Sequence, residues 1–274
     1  MKLKDKVAII TGAGRGIGRG IVDAFAKDGA RLVLVSRTLE QIEAAAQEAR
    51  SLGADAIAIS VDVADPDDVE RMVAQTLDRF SRIDILVNNA AVLGPVGPLQ
   101  TNDMRQWADT MRINVTGLVM CCHAVLPAMI EQGGGKIINL SGAGVAQPSE
   151  TLSAYGTSKA AVIRFTETLA VEMRPHNICV NALGPGQIDT TFLDPMATDE
   201  SLVAPVMRSH VQNTKSGHGA SLENAAALAV WLASSDSDGL SGRLISSTQD
   251  DWRNLAPQIP EIMKSDKYTL RFVS

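Results

Sequence analysis

The stretch Val7-Ala8-Ile9-Ile10-Thr11-Gly12-Ala13-Gly14-Arg15-Gly16-Ile17-Gly18 decides how the rest of the chain is read. Its first four residues are continuously apolar, as in a short strand buried on both faces. Ile17, Ile21 and Phe25 then recur at helical spacing, and Gly29 supplies a stop. Strand, glycine turn and helix in immediate succession give Gly12, Gly16 and Gly18 a physical task. Without side chains in the way, backbone N–H groups can approach a pyrophosphate closely, at a helix N-terminus whose dipole favours anions. A glycine cluster alone signals only a tight turn; the strand before it and the helix after it turn the reading towards nucleotide binding.

Outward from this turn the same alternation repeats. Arg31–Val35 reads as a second strand and Leu39–Leu52 as an Ala-rich helix stopped by Gly53, completing a βαβ unit with its following helix. Next come a strand at Ala56–Val61 and a helix opened by Asp65-Pro66 that carries Val69, Val73, Leu77 and Phe80. A fourth strand spans Ile83–Val87, and a long helical stretch runs from about Asn102 to Gln132 before Gly133-Gly134-Gly135 closes it. Strands follow at Lys136–Leu140, Ile178–Leu183 and Arg243–Ser246, separated by a helix that carries Tyr155 and Lys159 to about Arg174 and by a helix at Leu222–Ala233. Near-continuous apolar strands between helices predict an α/β fold, a doubly wound parallel seven-stranded sheet in one domain over residues 1–247. Residues 248–274 form a C-terminal extension. Ligands of such sheets lie at the carboxyl ends of the strands, where the glycine turn, Asp62, Asn88, Ser141 and Pro185-Gly186 all fall.

Composition narrows the function. The 274 residues are 45% hydrophobic and 20% charged, as in an ordinary globular domain. A net charge of −6 and a pI near 5.3 exclude a surface built for nucleic acid or an anionic membrane. Cys121, Cys122 and Cys179 form neither a disulfide framework nor a zinc pattern, and are expected as buried free thiols. The N-terminus enters the first strand without a signal-peptide core, and no uninterrupted apolar run reaches the ~18 residues of a membrane span. A soluble, cytoplasmic protein is expected.

Tyr155 and Lys159 lie four residues apart on one helix and therefore project from one face. For a phenol to accept a proton near neutrality its pKa must fall from about 10 to about 7, ~4 kcal/mol, and a neighbouring ammonium lowers it in that direction. The spacing occurs in many helices where a half-buried Tyr sits beside a solvated Lys, so the rest of the chain must decide between the two readings.

It does so through several ordered motifs. Between about Lys6 and Ser246 the chain resembles the short-chain dehydrogenase/reductase family, whose fold is Rossmann-like. Gly12, Arg15, Gly16, Ile17 and Gly18 match the family's cofactor turn, Asp62 and Val63 its adenine contact, and Asn88-Asn89-Ala90-Ala91 its motif after strand four, with Ala91 where glycine is usual. Asn114, Tyr155 and Lys159 match its catalytic asparagine, tyrosine and lysine. Pro185, Gly186, Ile188 and Thr190 resemble the loop that holds the nicotinamide carboxamide. The resemblance implies hydride transfer between a nicotinamide and a carbonyl or alcohol carbon of a small organic substrate. Tyr155 would then exchange the proton, Lys159 would lower its pKa and hold the nicotinamide ribose, and Asn114 would bind a water on the path from lysine to solvent.

The family's catalytic serine lies thirteen residues before the tyrosine, and that position is Gly142 here. Ser141, one residue early at the end of a strand, and Ser153, two before Tyr155, are the hydroxyls near enough to substitute; Ser141 is favoured because glycines at 142 and 144 let the chain turn. Cofactor choice follows from strand two, which ends Val35-Ser36-Arg37 with no carboxylate for a ribose 2′-hydroxyl. Arg37, with Arg15 in the glycine turn, suits a 2′-phosphate, so NADP is expected over NAD. Phe192, Leu193, Pro195, Met196, Val203 and Met207, with the stretch Val92 to Val96, offer an apolar lid.

The extension carries Trp252, Leu255, Ile259, Ile262, Met263, Tyr268, Leu270 and Phe272, too apolar for a disordered tail, and Tyr268–Val273 reads as a further strand. Because the family commonly forms dimers and tetramers, a homo-oligomer is expected, with the tail covering a neighbour near the substrate entrance; a tail folded on its own subunit is the alternative. Two other functions stay open. Gly142 and Ala91 motivate a nucleotide-binding scaffold that has lost turnover, and an epimerase or dehydratase would use the hydride transiently.

Overall fold

The computed structural model describes residues 1–142, 145, 147–194, 196, 203 and 205–271. Seven strands, β1 (Val7–Thr11), β2 (Arg31–Ser36), β3 (Ala56–Ser60), β4 (Ile85–Asn88), β5 (Gly135–Leu140), β6 (Ile178–Gly184) and β7 (Leu244–Ser246), form one sheet in the order β3-β2-β1-β4-β5-β6-β7. Every neighbouring pair is parallel. The chain winds outward from β1 in one direction, then returns through β4 in the other, so a crevice opens between the carboxyl ends of β1 and β4.

Period-two alternation along β1 divides the core. Ala8 and Ile10 face one side, with Phe25 of helix α1 (Gly16–Lys27) and Ala45 of helix α2 (Leu39–Ser51). Val7 and Ile9 face the other, with Met72 of helix α3 (Pro66–Phe80). Asp65 caps α3, accepting from Asp67 N at 3.0 Å and Asp68 N at 3.4 Å, with Pro66 at the first helical position.

The long helical stretch is three pieces. Helix α4 (Met104–Met111) and helix α5 (Leu118–Glu131) are joined by a π-helical turn, Arg112–Gly117. By length and composition Met104–Glu131 is apolar enough to cross a membrane, but Cys121, Cys122, Val125 and Met129 pack into the core beside the sheet. Burial pushes the Cys121 thiol up to about 12 and raises that of Cys122 as well. Helix α6 (Ser153–Met173) and helix α7 (Pro205–Asn213) precede helix α8 (Leu222–Ala233), which packs so tightly on α1 that a Cβ on Gly20 would stand 2.8 Å from Leu222.

The described part of the extension packs on its own subunit. Trp252, Leu255, Ile259 and Ile262 are buried in the same core layer as α1 and α8, and Trp252 lies 6.3 Å from Trp231. Arg243, nearly buried, donates to Ile262 O at 3.2 Å and Ser265 O at 3.0 Å. Leu244 N donates to Tyr268 O, and Glu167 on α6 accepts from Leu270 N and Arg271. No strand forms between Tyr268 and Arg271, where the backbone turns instead and Tyr268 has φ 64°. Phe272 and Val273 lie outside the described residues.

Candidate active site

A cleft of about 1350 Å³ runs along the carboxyl ends of the strands. At one end lies the glycine turn. Gly12 and Gly16 have φ of 65° and 56°, which only glycine adopts at little cost. Gly18 faces inward: a Cβ there would meet Asn89 Nδ2 at 2.5 Å, so it packs the turn against β4 without lining the cleft. Asn89 braces the turn, its Nδ2 donating to Thr11 O at 2.9 Å and Gly12 O at 3.1 Å. Thr11 Oγ1 accepts from Asn89 N and Ala90 N, both at 3.0 Å, a bridge that nothing in the sequence pattern singled out. Arg15, Gly16, Ile17, Ser36 and Arg37 line the cleft beside it. Both arginines are exposed, and neither has an ion-pair partner among the described residues.

Asp62 and Val63 line the adjoining wall. Asp62 Oδ1 accepts from Ala64 N at 3.0 Å, so its turn-capping role coexists with its place in the cleft. Pro185, Gly186, Ile188 and Thr190 line the opposite wall, and a Cβ on Gly16 would stand 3.3 Å from Thr190 Cγ2, so the two loops nearly touch. The residues after β7 support this wall. Ser247 Oγ donates to Pro185 O at 2.8 Å, and Thr248 presses on Gly186 so closely that a Cβ there would lie 2.8 Å from it. Thr248 and Gln249 themselves line the cleft. Sequence reasoning missed these residues because the tail's path across the sheet is set by tertiary packing.

On the cleft floor α6 brings Tyr155 and Lys159 together. Lys159 is 3% exposed; its Nζ donates to Leu140 O at 2.8 Å and stands 5.7 Å from the Tyr155 ring centroid. Burial lowers its pKa to about 8. Tyr155 does not show the depressed pKa expected from the sequence. Burial raises it, because the ring is enclosed by protein, including Phe192 at 5.6 Å between centroids. Burial thus favours the protonated phenol.

Asn114 sits in the π-helical turn, buried and behind the cleft rather than in its lining. Its Oδ1 accepts from Val92 N at 2.8 Å, and its Nδ2 donates to Val92 O at 2.9 Å and Ser158 Oγ at 3.0 Å. Ser158 Oγ in turn donates to Tyr155 O at 2.7 Å. The amide thus ties the strand-four loop to the first turn of α6. Such π-turns are frequent at functional sites.

The two candidate serines lie differently. Ser141, at the end of β5, lines the cleft and is held there by its N–H on Leu183 O at 2.8 Å. Ser153 faces away, its Oγ accepting from the Trp107 indole at 3.2 Å, and is not among the lining residues. Gly144, one of the two glycines expected to let Ser141 turn inward, lies outside the described residues, as does Ala143. Gly142 has its own consequence: a Cβ there would stand 2.8 Å from Tyr155 Cζ, 3.0 Å from Cε1 and closer still to the hydroxyl. The phenol occupies the space that a side chain at 142 would take.

The profile of the short chain dehydrogenase family matches residues 6–201. The chain belongs to this family. An uncharacterized oxidoreductase of Mycobacterium tuberculosis is 35% identical over 245 residues, 89% of this chain and 91% of that protein. Among solved structures, an NAD+-bound xylitol dehydrogenase superposes with a TM-score of 0.84 at 27% identity, covering 90% of this chain and 98% of the other. A gluconate 5-dehydrogenase from Burkholderia cenocepacia in complex with NADP and tartrate gives 0.81 at 29% identity over 89% and 94%. As a short-chain dehydrogenase the chain is an oxidoreductase of the CH–OH/C=O class, and pyridine-nucleotide-dependent hydride transfer is general to the family.

Proposed function

We propose that the protein is an NADP(H)-dependent reductase of a small organic ketone, and in reverse a dehydrogenase of the corresponding alcohol, with Tyr155 as general acid and base. The observation that carries this reading is the burial of the Tyr155 phenol and the Lys159 ammonium in the same cleft as the glycine turn. The cradle fits a dinucleotide: Gly12 and Gly16 leave backbone N–H groups bare, and Arg15 and Arg37 offer guanidinium groups where a 2′-phosphate would lie. When bound, the dinucleotide would exchange a hydride with the substrate carbon, so a ketone that takes up this hydride and one proton becomes a secondary alcohol as the reduced cofactor is oxidised.

The protein's own groups do the rest. Tyr155, kept protonated by burial, gives its proton to the carbonyl oxygen. Lys159, with a pKa near 8, stands beside it to restore the proton and to favour the phenolate as it forms. Ser141 orients the substrate oxygen from the end of β5, and Asn114 fixes the backbone on which Tyr155 is mounted. The scaffold reading requires two ionisable side chains to be buried at a cost with nothing gained. The similar xylitol dehydrogenase and gluconate 5-dehydrogenase make a polyol or sugar acid the second reading for the substrate. Loss of NADPH absorbance on adding ketones tests the activity, and titration with NADPH and NADH tests the cofactor; no turnover with any carbonyl compound, despite bound NADPH, would sink the proposal.

A further inference from the structure

The wall that carries Pro185, Gly186, Ile188 and Thr190 is fastened from behind by Ser247, which is 3% exposed and does not itself line the cleft. Its N–H donates to Gly184 O and its Oγ to Pro185 O, both at 2.8 Å, so one residue holds successive carbonyls of the loop. Pro185 is buried and has no N–H, which leaves its carbonyl as the backbone group that must find a partner there. Gly186 follows with φ 76°, and a Cβ on it would stand 2.7 Å from Ala220 Cβ and 2.8 Å from Thr248 Cγ2, so the loop is gripped on both sides. Behind Ser247 the support continues away from the cleft. The Ser247 carbonyl accepts from Asn224 Nδ2 on α8, and Asn224 Oδ1 accepts from Arg253 Nη2 at 2.7 Å. The Arg253 guanidinium lies 4.1 Å from the centroid of the Trp252 ring, which is buried in the core, so this line of contacts ends on a fixed point.

From this we infer that Ser247 is a positioning residue for the nicotinamide half of the dinucleotide, held in place by Asn224 and, through it, by Arg253 of the extension. The inference rests on the reading of Pro185 to Thr190 as the loop that holds the nicotinamide carboxamide. Without the Ser247 hydroxyl, Pro185 O would be left buried and without that donor, a state the loop escapes by moving its carbonyl towards water. A loop so released holds the binding geometry for only a fraction of the time, and affinity falls by that fraction. The loss is local to one half of the cofactor. The glycine turn and Arg37 stand on other elements and are expected to keep their hold on the phosphates.

The test separates the two halves of the cofactor. NADPH and NADH, and the fragments 2′-phospho-ADP-ribose and ADP-ribose that lack the nicotinamide, are titrated calorimetrically onto the wild type, Ser247→Ala and Arg253→Ala, with urea unfolding to show that each variant is folded. Ser247→Ala is expected to weaken the dinucleotide that the wild type binds by about 10-fold, and the matching fragment by less than about twofold. Arg253→Ala, which removes an exposed side chain, is expected to act in the same direction, by about 3-fold on the dinucleotide with the fragment unchanged. If Ser247→Ala does not fold, Arg253→Ala decides alone. Equal weakening of dinucleotide and fragment would make the role of Ser247 purely structural, and unchanged affinity for both would leave it no role; either result overturns the inference. A wild type that binds the fragments as tightly as the dinucleotides overturns the reading of the loop, and the inference with it.

Discussion

Replacing Gly142 by alanine is the most informative small perturbation in the molecule. A new Cβ would stand 2.8 Å from Tyr155 Cζ and 3.0 Å from Cε1. Carbon atoms rest at about 3.5–4.0 Å, so either the ring or the end of β5 must give way by about 1 Å. The ring cannot retreat freely, because Phe192 lies against it and α6 holds its backbone through Ser158 and Asn114. A displacement of that size at a proton donor costs about 10²-fold in turnover. Overpacking costs a further 1–3 kcal/mol or so of stability. The glycine cradle and Arg37 are remote from the change, so NADPH affinity is expected to stay within about twofold. Single-turnover reduction of an accepted ketone, with cofactor affinity from fluorescence titration and stability from urea unfolding, reads all three. Gly142→Ser is expected to lose activity as well, although it restores the residue usual in the family. Wild-type turnover in Gly142→Ala, or a gain in Gly142→Ser, would refute the claim that the phenol occupies that space.

Other expectations follow from the same geometry. Arg37→Ala should weaken NADPH by about 10-fold or more while leaving NADH nearly unchanged, because only a 2′-phosphate engages that guanidinium; equal losses in parallel titrations would remove the basis for NADP preference. Ser141→Ala should lower kcat well beyond Ser153→Ala, whose hydroxyl serves the Trp107 indole; the reverse order would give the orienting role to Ser153. Lys159 titrates near 8 in the folded protein against an ordinary value of 10.5. Between those pH values the unfolded chain holds a proton that the folded chain has released, so this group makes stability rise with pH across the window, by up to about 3 kcal/mol. The difference in unfolding free energy between wild type and Lys159→Met, measured from pH 7 to 10.5, should show that rise; a flat difference would mean the ammonium is not buried as described.

Much of the fold was legible because its signals are local. The apolar run Val7–Ile10, the glycines with their positive φ and the Asp65-Pro66 helix start each depend on a few adjacent residues, and the sheet followed from their alternation. The seventh strand is only Leu244–Ser246 and starts one residue after Arg243, whose backbone N–H donates to the Asn181 side chain and not to a strand carbonyl. What stayed hidden depends on contacts distant in sequence. Asn114 reads as a poor helix residue, but only the folded chain shows that its amide holds Val92 and Ser158 within a π-turn. Tyr155 reads as a phenol beside an ammonium; the structure adds Phe192 and the bare face of Gly142, and burial then outweighs the charge. The apolar tail announced packing, but not against which subunit, because periodicity has no information about the surface that receives it.

Deuterium transfer tests the central claim most directly. The wild-type enzyme and Tyr155→Phe would each be incubated with NADPH carrying deuterium at both C4 positions of the nicotinamide and with an accepted ketone, and the product examined by mass spectrometry. One deuterium on the carbinol carbon of each alcohol formed by the wild type, and a loss of at least about 10³-fold in that product with Tyr155→Phe at unchanged NADPH affinity, is the expected result. Unlabelled alcohol from the wild type, or labelled alcohol from Tyr155→Phe at a rate within several-fold of it, would contradict the account.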